Sequence, residues 1–184
     1  KDAEWMTDAK YLAIESVYGD RVHEQRDARV HMLEDVIEET MRVKGVLLIP
    51  AFSLERTQEL LFEIKRMMAE GRIPEAPVFL DSPLAIKVTD IYEKYRSYFK
   101  EEVRKGGAVG KNMFDFPQLR PTLTTEESKS INNVPAPKII IAGAGMSNGG
   151  RIVHHEARYL PDPKNTLLFL GYQALFLLRQ LLNR

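Results

Sequence analysis

A glycine-rich loop with a basic flank is the part of this sequence best suited to chemistry. Residues 138–155 read KIIIAGAGMSNGGRIVHH, which predicts a strand, a loop and the start of a helix. The loop carries four glycines within eight residues: Gly143, Gly145, Gly149 and Gly150. Without Cβ atoms in the way, backbone N–H groups can approach an anion, and a helix start adds partial positive charge. This pattern favours a phosphate ligand, although a tight turn without a ligand would need the same glycines.

Two familiar phosphate loops do not match. The dinucleotide fingerprint requires a glycine at the sixth position from Gly143, where this chain has Asn148. The P-loop requires Lys and then Ser or Thr after its last glycine, but Arg151 and Ile152 follow here. The loop therefore has to be interpreted from its surroundings.

Two carboxylates follow predicted strands and could act as a general acid and base. Glu15 ends the apolar run 11–15, and Asp81 directly follows the run 78–80. Asp81 could equally be a turn residue before Ser82 and Pro83. Glu15 has no obvious structural partner in the sequence.

Basic side chains lie beside the same loops. Arg56 and Arg151 are candidates to bind an anion through their guanidinium groups. Alternatively, both could be ordinary arginines on a helix surface. His154 and His155 are adjacent, so on a helix they diverge by about 100° and cannot share a metal ion as an i, i+4 pair does. We expect one of them to contact phosphate or the loop. With no cysteine in the chain, no zinc set is evident.

Short apolar runs alternate with helical periodicity along the chain. The predicted strands are 11–15, 46–49, 78–80, 138–142 and 166–170, and the predicted helices are 24–44, 54–68, one following Pro83, 126–131 and 151–159. Ile91, Tyr95, Tyr98 and Phe99 form a stripe that we interpret as core packing rather than as a base-stacking surface. Residues 106–121 are predicted to be an irregular surface excursion. The fold class is α/β, with a three-layer, mostly parallel sheet that has helices on both faces, in a single domain of residues 1–184.

This fold would bring the polar segments together. In a parallel sheet the carboxyl ends of the strands share one edge, where ligands bind in open α/β folds. Five segments would meet there: Glu15, 50–56, Asp81 with Ser82, 143–151 and 171–173.

Composition narrows the class of protein further. The chain has 26 Lys and Arg against 26 Asp and Glu, so no overall charge attracts nucleic acid, but residues 1–45 are acidic and the remainder is basic. No cysteine, no signal peptide core and no membrane-length apolar run are present, which favours a cytoplasmic protein without a membrane association.

Five motifs together resemble one known family. They are ESVYGDR (15–21), IPAFSLERTQELL (49–61), FLDSPLA (79–85), AGMSNGGRIVHH (144–155) and LFLGYQA (168–174). In order and spacing they are similar to the β-CASP domain, the cap of metallo-β-lactamase-fold nucleases, and most similar to bacterial and archaeal relatives of the cleavage-and-polyadenylation endonuclease. The likeness covers residues 11–174. Ala144 replaces a serine usual in the family, and the apolar segment 175–182 replaces a glycine-rich return to the hydrolase domain.

The resemblance implies a function in RNA processing. The parent enzyme would be a zinc-dependent ribonuclease whose zinc ions lie in the metallo-β-lactamase domain, so this chain would need no cofactor and would be inactive alone. Glu15 would lie near the metal centre in a supporting catalytic role. The remaining candidate residues would bind single-stranded RNA: Ser16, Arg21, Ser53, Arg56, Asp81, Ser82, Gly145, Gly149, Gly150, Arg151 and His154.

Other functions stay open at this stage. The expected partners are RNA and the metallo-β-lactamase domain of the parent chain, with a homodimer formed through the C-terminal tail, 175–184. One alternative is a self-contained nucleotide- or phosphate-binding regulatory module. Another is an interaction domain that self-associates through its tail.

Overall fold

A five-stranded parallel sheet forms the centre of the computed structural model, which describes residues 7–16, 19, 26–106 and 112–171. The strand order is β3-β2-β4-β1-β5, and every pair is parallel. The elements in chain order are α1 (Arg26–Arg42), β1 (Val46–Pro50), α2 (Arg56–Ala69), β2 (Val78–Asp81), α3 (Pro83–Lys94), α4 (Glu101–Gly106), β3 (Leu119–Pro121), α5 (Thr125–Ser130), β4 (Lys138–Ala142), α6 (Ile152–Tyr159) and β5 (Thr166–Leu167). The predicted α/β class with a parallel sheet is confirmed.

Both faces of the sheet are buried, which explains the continuous apolar runs of its central strands. Because successive side chains point to opposite faces, Ile139 and Ile141 of β4 pack in the larger core cluster with residues of α1, α2 and α3. Ile140 and Ala142 pack on the other face with Ile152 of α6. Helix, sheet and helix therefore make the three predicted layers.

Local capping sets where two helices begin. Ser82 is the N-cap of α3, since its Oγ accepts a hydrogen bond from the Ala85 N–H at 3.3 Å, and Pro83 stands in the first turn. Thr124 and Glu127 form a capping box at α5. Strand β2 thus passes into α3 with only Ser82 between them, which keeps Asp81 and Ser82 at the carboxyl edge of the sheet.

One predicted strand is wrong, and another was missed. Residues 11–15 form no strand in the structure, and Tyr11, Leu12 and Ile14 are exposed. An apolar run becomes a strand only where a neighbour supplies hydrogen bonds, and no described strand pairs with this run. The strand that completes the five-stranded sheet is β3, which pairs with β2. It lies within residues 106–121, the segment predicted to be an irregular surface excursion.

The aromatic stripe was also interpreted incorrectly in part. Only Phe99 packs against the core, where its ring lies near Phe114 and Tyr92, with centroid distances of 6.5 and 5.7 Å. Ile91, Tyr95 and Tyr98 are exposed. Helical spacing shows that residues share a face, but it does not show that another element covers the face.

The last predicted strand is shorter than expected, and some predictions concern residues outside the described ranges. Strand β5 ends at Leu167 rather than at residue 170, although the Leu168 N–H still donates to the Leu48 carbonyl at 2.9 Å.

Arg21 and the tail 175–184 lie outside the described residues, so the homodimer stays a prediction that sedimentation with and without the tail would test. Among the described helices, none has the length and apolar character that a bilayer crossing requires.

A buried lysine connects the start of β4 to the end of α6. The Lys138 ammonium donates to the carbonyls of Ile131 and Val134, at 2.8 and 2.6 Å, and to the Tyr159 hydroxyl at 2.9 Å. Its three donors are therefore satisfied without a carboxylate. These bonds hold the amino end of β4 and the carboxyl end of α6 together.

Candidate nucleic-acid interface at the carboxyl edge of the sheet

Three loops meet where the central strands end. Strands β2, β4 and β1 are neighbours, so the segments 82–84, 143–151 and 51–55 that follow them lie side by side, and we call these segments the carboxyl rim. The Ala51 N–H donates to the Ala142 carbonyl at 3.0 Å, and the Ser53 and Ser82 hydroxyl oxygens are 3.4 Å apart. The rim is thus a continuous surface.

Two of the four glycines are required by close packing. A Cβ on Gly145 would lie 2.6 Å from the Phe52 ring, and one on Gly150 would lie 2.4 Å from the Gly143 carbonyl oxygen. Gly150 also has a φ of +76°, which favours glycine. A Cβ on Gly149 would meet nothing within 4 Å, so the space beside Gly149 is open.

Hydrogen bonds close the glycine loop on itself and fasten it to α6. The Ala144 N–H donates to the Gly149 carbonyl at 3.1 Å, and the Ser147 N–H donates to the Ala144 carbonyl at 3.0 Å. The buried Ser147 hydroxyl donates to the Glu156 carboxylate. The loop therefore has a defined shape without a ligand.

Asp81 is the centre of a buried polar network beneath the rim. Its side chain is 0% exposed and accepts four hydrogen bonds. Oδ1 accepts from Thr122 Oγ1 at 2.6 Å and from Arg151 Nη1 at 2.7 Å. Oδ2 accepts from Ser128 Oγ at 2.6 Å and lies 2.7 Å from His155 Nε2.

The network keeps this carboxylate ionised. Burial acts to raise the pKa of Asp81, but hydrogen bonds from His155, Ser128, Thr122 and Arg151 outweigh it and lower the pKa from 3.8 to about 2. Asp81 is therefore an anion at neutral pH.

Arg151 joins three segments through its guanidinium group. Besides Asp81, Nη1 donates to the Thr122 carbonyl and Nη2 donates to the Leu123 carbonyl, both at 2.9 Å. The fork thus ties the start of α6 to the chain that follows β3. A phosphate contact by Arg151 stays a prediction, and its site would be the remaining exposed edge of the guanidinium.

Comparison with known proteins decides the family. The sequence profile described as "Beta-Casp domain" matches residues 57–175, which is more than half of the chain. The chain belongs to the Beta-Casp domain family.

Relatives of this Beta-Casp chain are named for work on RNA and transcription. Ribonuclease TTHA0252 of Thermus thermophilus is 41% identical over 90% of the chain, transcription termination factor FttA of Methanosarcina mazei 35% over 81%, and probable RNase MJ4 of Methanocaldococcus jannaschii 32% over 91%. The chain spans only 38%, 23% and 36% of their respective lengths. The family therefore includes RNA-processing nucleases, and these relatives are longer proteins than this chain.

The Beta-Casp fold brings most of the predicted site residues together. Ser53, Ser82, Gly145, Gly149, Gly150 and Arg151 lie in the rim, with Asp81 directly beneath it. Arg56 is exposed at the start of α2 and pairs with Glu59 at 2.9 Å, and His154 is exposed on α6. Glu15 and Ser16 are exposed in the segment 7–16, and the Gly19 N–H donates to the Ser16 carbonyl.

Asp81 has structural partners that the sequence did not indicate. It is fully buried and ionised in the structure, and its roles in acid–base chemistry and in RNA binding stay predictions. It is also not a simple turn residue, because its partners lie 41 to 74 positions away in the chain. Asp81 instead connects β2 with α6, with α5 and with the residue that follows β3, beneath the rim.

The sequence interpretation missed His155, Thr122 and Ser128, which complete this network. A signal was available for His155, since Arg151 and His155 are four residues apart and so share one face of α6. Thr122 and Ser128 offered none, because hydroxyl residues in a linker are common. Of the adjacent histidines, His155 is the buried one and His154 points to the surface.

The described residues do not fit a zinc site. Across the described ranges, no three His, Asp or Glu side chains converge as metal ligands would. Asp81 and His155 are of suitable types, but the oxygens of Asp81 are already occupied by four donors.

Proposed function

We propose that this chain is the RNA-binding cap domain of a zinc-dependent metallo-β-lactamase/β-CASP ribonuclease, and that single-stranded RNA lies on the carboxyl rim. The observation that carries the proposal is the junction of three strand-end loops around Phe52, whose side chain is half exposed at 49% although the Gly145 backbone packs against it. A half-exposed ring that is held in place is suited to stacking on a base.

The rest of the rim offers complementary chemistry. The Ser53 hydroxyl can donate to a phosphate oxygen, with the largely buried Ser82 hydroxyl 3.4 Å from it, and the open space at Gly149 allows a phosphate to approach the backbone. Exposed Leu54 and Leu84 lie within the rim and can contact bases or sugars. Polar groups would therefore position the RNA backbone, while the Phe52 ring would stack on a base.

A titration with single-stranded RNA tests this proposal. We expect the logarithm of the binding constant to fall linearly with the logarithm of salt concentration, because neutralised phosphates release counterions. Phe52→Ala should weaken binding roughly tenfold, as expected when one base loses its stacking partner. Met32→Ala, an exposed apolar residue on α1, is the matched control and should leave the affinity unchanged.

The same titration distinguishes the alternative function. A self-contained nucleotide- or phosphate-binding module would hold a mononucleotide or inorganic phosphate as tightly as it holds RNA. A cap should show weak competition by a mononucleotide, because most of its affinity comes from several nucleotides together. Equal affinity for the mononucleotide and the oligonucleotide would contradict the cap.

Zinc and hydrolysis belong, in this proposal, to the part of the protein beyond this chain. The relatives exceed the chain in length by more than twofold, which leaves room for a separate catalytic domain. We expect the isolated chain to bind no stoichiometric zinc and to cleave no RNA, and we expect the whole protein to act in the cytoplasm. Elemental analysis and an RNA cleavage assay check the first statement, and one tightly held zinc ion per chain would refute it.

A further inference from the structure

We propose that Tyr95 and Tyr98 form a second contact for single-stranded RNA, a platform on which bases stack. An RNA chain that leaves the rim along α3 would reach this platform. This inference rests on the proposed function. It concerns a surface apart from the rim, at the opposite end of α3.

The two rings are unusually open for their position. Tyr95 is 50% exposed and Tyr98 is 87% exposed. Their centroids are 6.2 Å apart with planes inclined at 59°, so the two rings do not stack face to face on each other. The neighbouring Tyr92 and Phe99 pack inward against Phe114, so the core of this region is complete without the two tyrosines.

Two lysines accompany the platform, in a segment with a small excess of basic residues. The Lys94 ammonium lies 5.6 Å from the centre of the Tyr95 ring, and Lys100 is exposed two residues beyond Tyr98. Residues 87–105 contain six Lys and Arg against four Asp and Glu, whereas the whole chain is balanced. Arg96 pairs with Glu93 at 3.7 Å, so Lys94 and Lys100 are the better candidates for phosphate contacts.

The position of the platform suits a strand that starts at the rim. Helix α3 begins next to Ser82 and has 12 residues, so its length is about 18 Å. Leu84, Ile91 and Tyr95 are exposed along it and provide an apolar path between the two sites. An RNA of several nucleotides could therefore contact both sites.

RNA explains this surface better than a protein partner does. Exposed aromatic rings interleaved with lysines are typical of sequence-tolerant single-strand binding, in which bases stack and the backbone follows positive charge. Tyrosine is also frequent at protein interfaces, but lysine is depleted there. A protein partner is consequently an outcome of the test rather than a second proposal.

The test compares RNA of two lengths on the 184-residue chain. We expect Tyr95→Ala/Tyr98→Ala to weaken binding of an oligonucleotide of about 16 residues roughly tenfold or more, and to leave one of about 4 residues unaffected, since the short one occupies the rim alone. Tyr95→Phe/Tyr98→Phe keeps the rings and should bind both lengths normally. Lys164→Glu, at the opposite edge of the sheet beside Gly45, is the charge control for Lys94→Glu, which should weaken only the long RNA.

The outcomes separate this inference from the proposed function. If Phe52→Ala weakens both lengths while the tyrosine variant binds the long RNA normally, the platform is overturned and the rim is retained. If the wild-type chain binds neither length, the proposed function fails and this inference fails with it. Circular dichroism checks folding, and the single variant Tyr98→Ala, at the more exposed ring, repeats the test with less disturbance. Loss of self-association with unchanged RNA affinity would identify a protein interface and overturn the inference.

Discussion

Asp81→Asn is expected to lower the free energy of unfolding by about 3–5 kcal/mol, the usual cost of breaking a buried ion pair. The substitution removes the negative charge but keeps the shape of the side chain. It leaves the Arg151 guanidinium and the His155 ring without their buried anion, and an amide cannot accept four hydrogen bonds. Urea denaturation at neutral pH measures the loss.

The same network predicts a dependence of stability on pH. The folded pKa of Asp81 is about 2, below its ordinary value of 3.8, so its contribution is fully present above about pH 4. That contribution, about 2 kcal/mol, is lost as pH falls from about 4 towards 2. We expect wild type and Asp81→Asn to differ less in stability at low pH than at neutral pH.

Asp90→Asn is the matched control for both measurements, because Asp90 is an exposed aspartate on α3. It should change the free energy of unfolding by no more than about 0.5 kcal/mol. If Asp81→Asn proved as stable as Asp90→Asn, the network would not be the element that holds the four segments together.

Glu15→Gln is expected to reduce RNA cleavage by the full-length protein on the order of 10²-fold or more while leaving RNA affinity nearly unchanged. The resemblance to β-CASP nucleases implies that this carboxylate lies near the metal centre in a supporting role. A group that orients a catalytic histidine loses its function when it cannot carry charge. In the structure Glu15 is exposed, so the substitution should not disturb the fold.

Single-turnover cleavage by the full-length protein measures this effect, and Glu38→Gln on α1 is the control for removal of an exposed glutamate. Full activity of Glu15→Gln would show that the residue has no part in the chemistry. A loss of RNA affinity equal to the loss of rate would assign Glu15 to binding instead.

The central part of the fold was predictable from the sequence because each signal there is local. VLLI and KIIIA are continuous apolar runs, which a strand buried on both faces requires, and the glycine loop between β4 and α6 is evident from spacing alone. The carboxyl rim followed from strand order in a parallel sheet. The motifs that resemble the β-CASP domain lie largely in these same segments.

The edges of the sheet and the network under the rim were not predictable in this way. Residues 11–15 (YLAIE) look more like a strand than residues 119–121 (LRP) do. An edge strand forms only where a neighbouring strand can pair with it, and β2 pairs with residues 119–121. Asp81 meets Arg151 and His155 across 70 and 74 positions, and nothing in the local sequence around Asp81 shows such a contact. The exposure of Tyr95 and Tyr98 depends on which elements pack against α3, and helical periodicity alone does not show this.

The most direct test of the central claim is an NMR titration of the labelled chain with single-stranded RNA. The account predicts that the backbone amides of the carboxyl rim shift first and most, including those of Phe52, Ser53 and Gly149. Amides at the opposite edge of the sheet, near Gly45 and Lys164, should stay unchanged. Shifts concentrated at that opposite edge, or no shifts at an RNA concentration that saturates binding, would contradict an RNA-binding cap that uses the carboxyl rim.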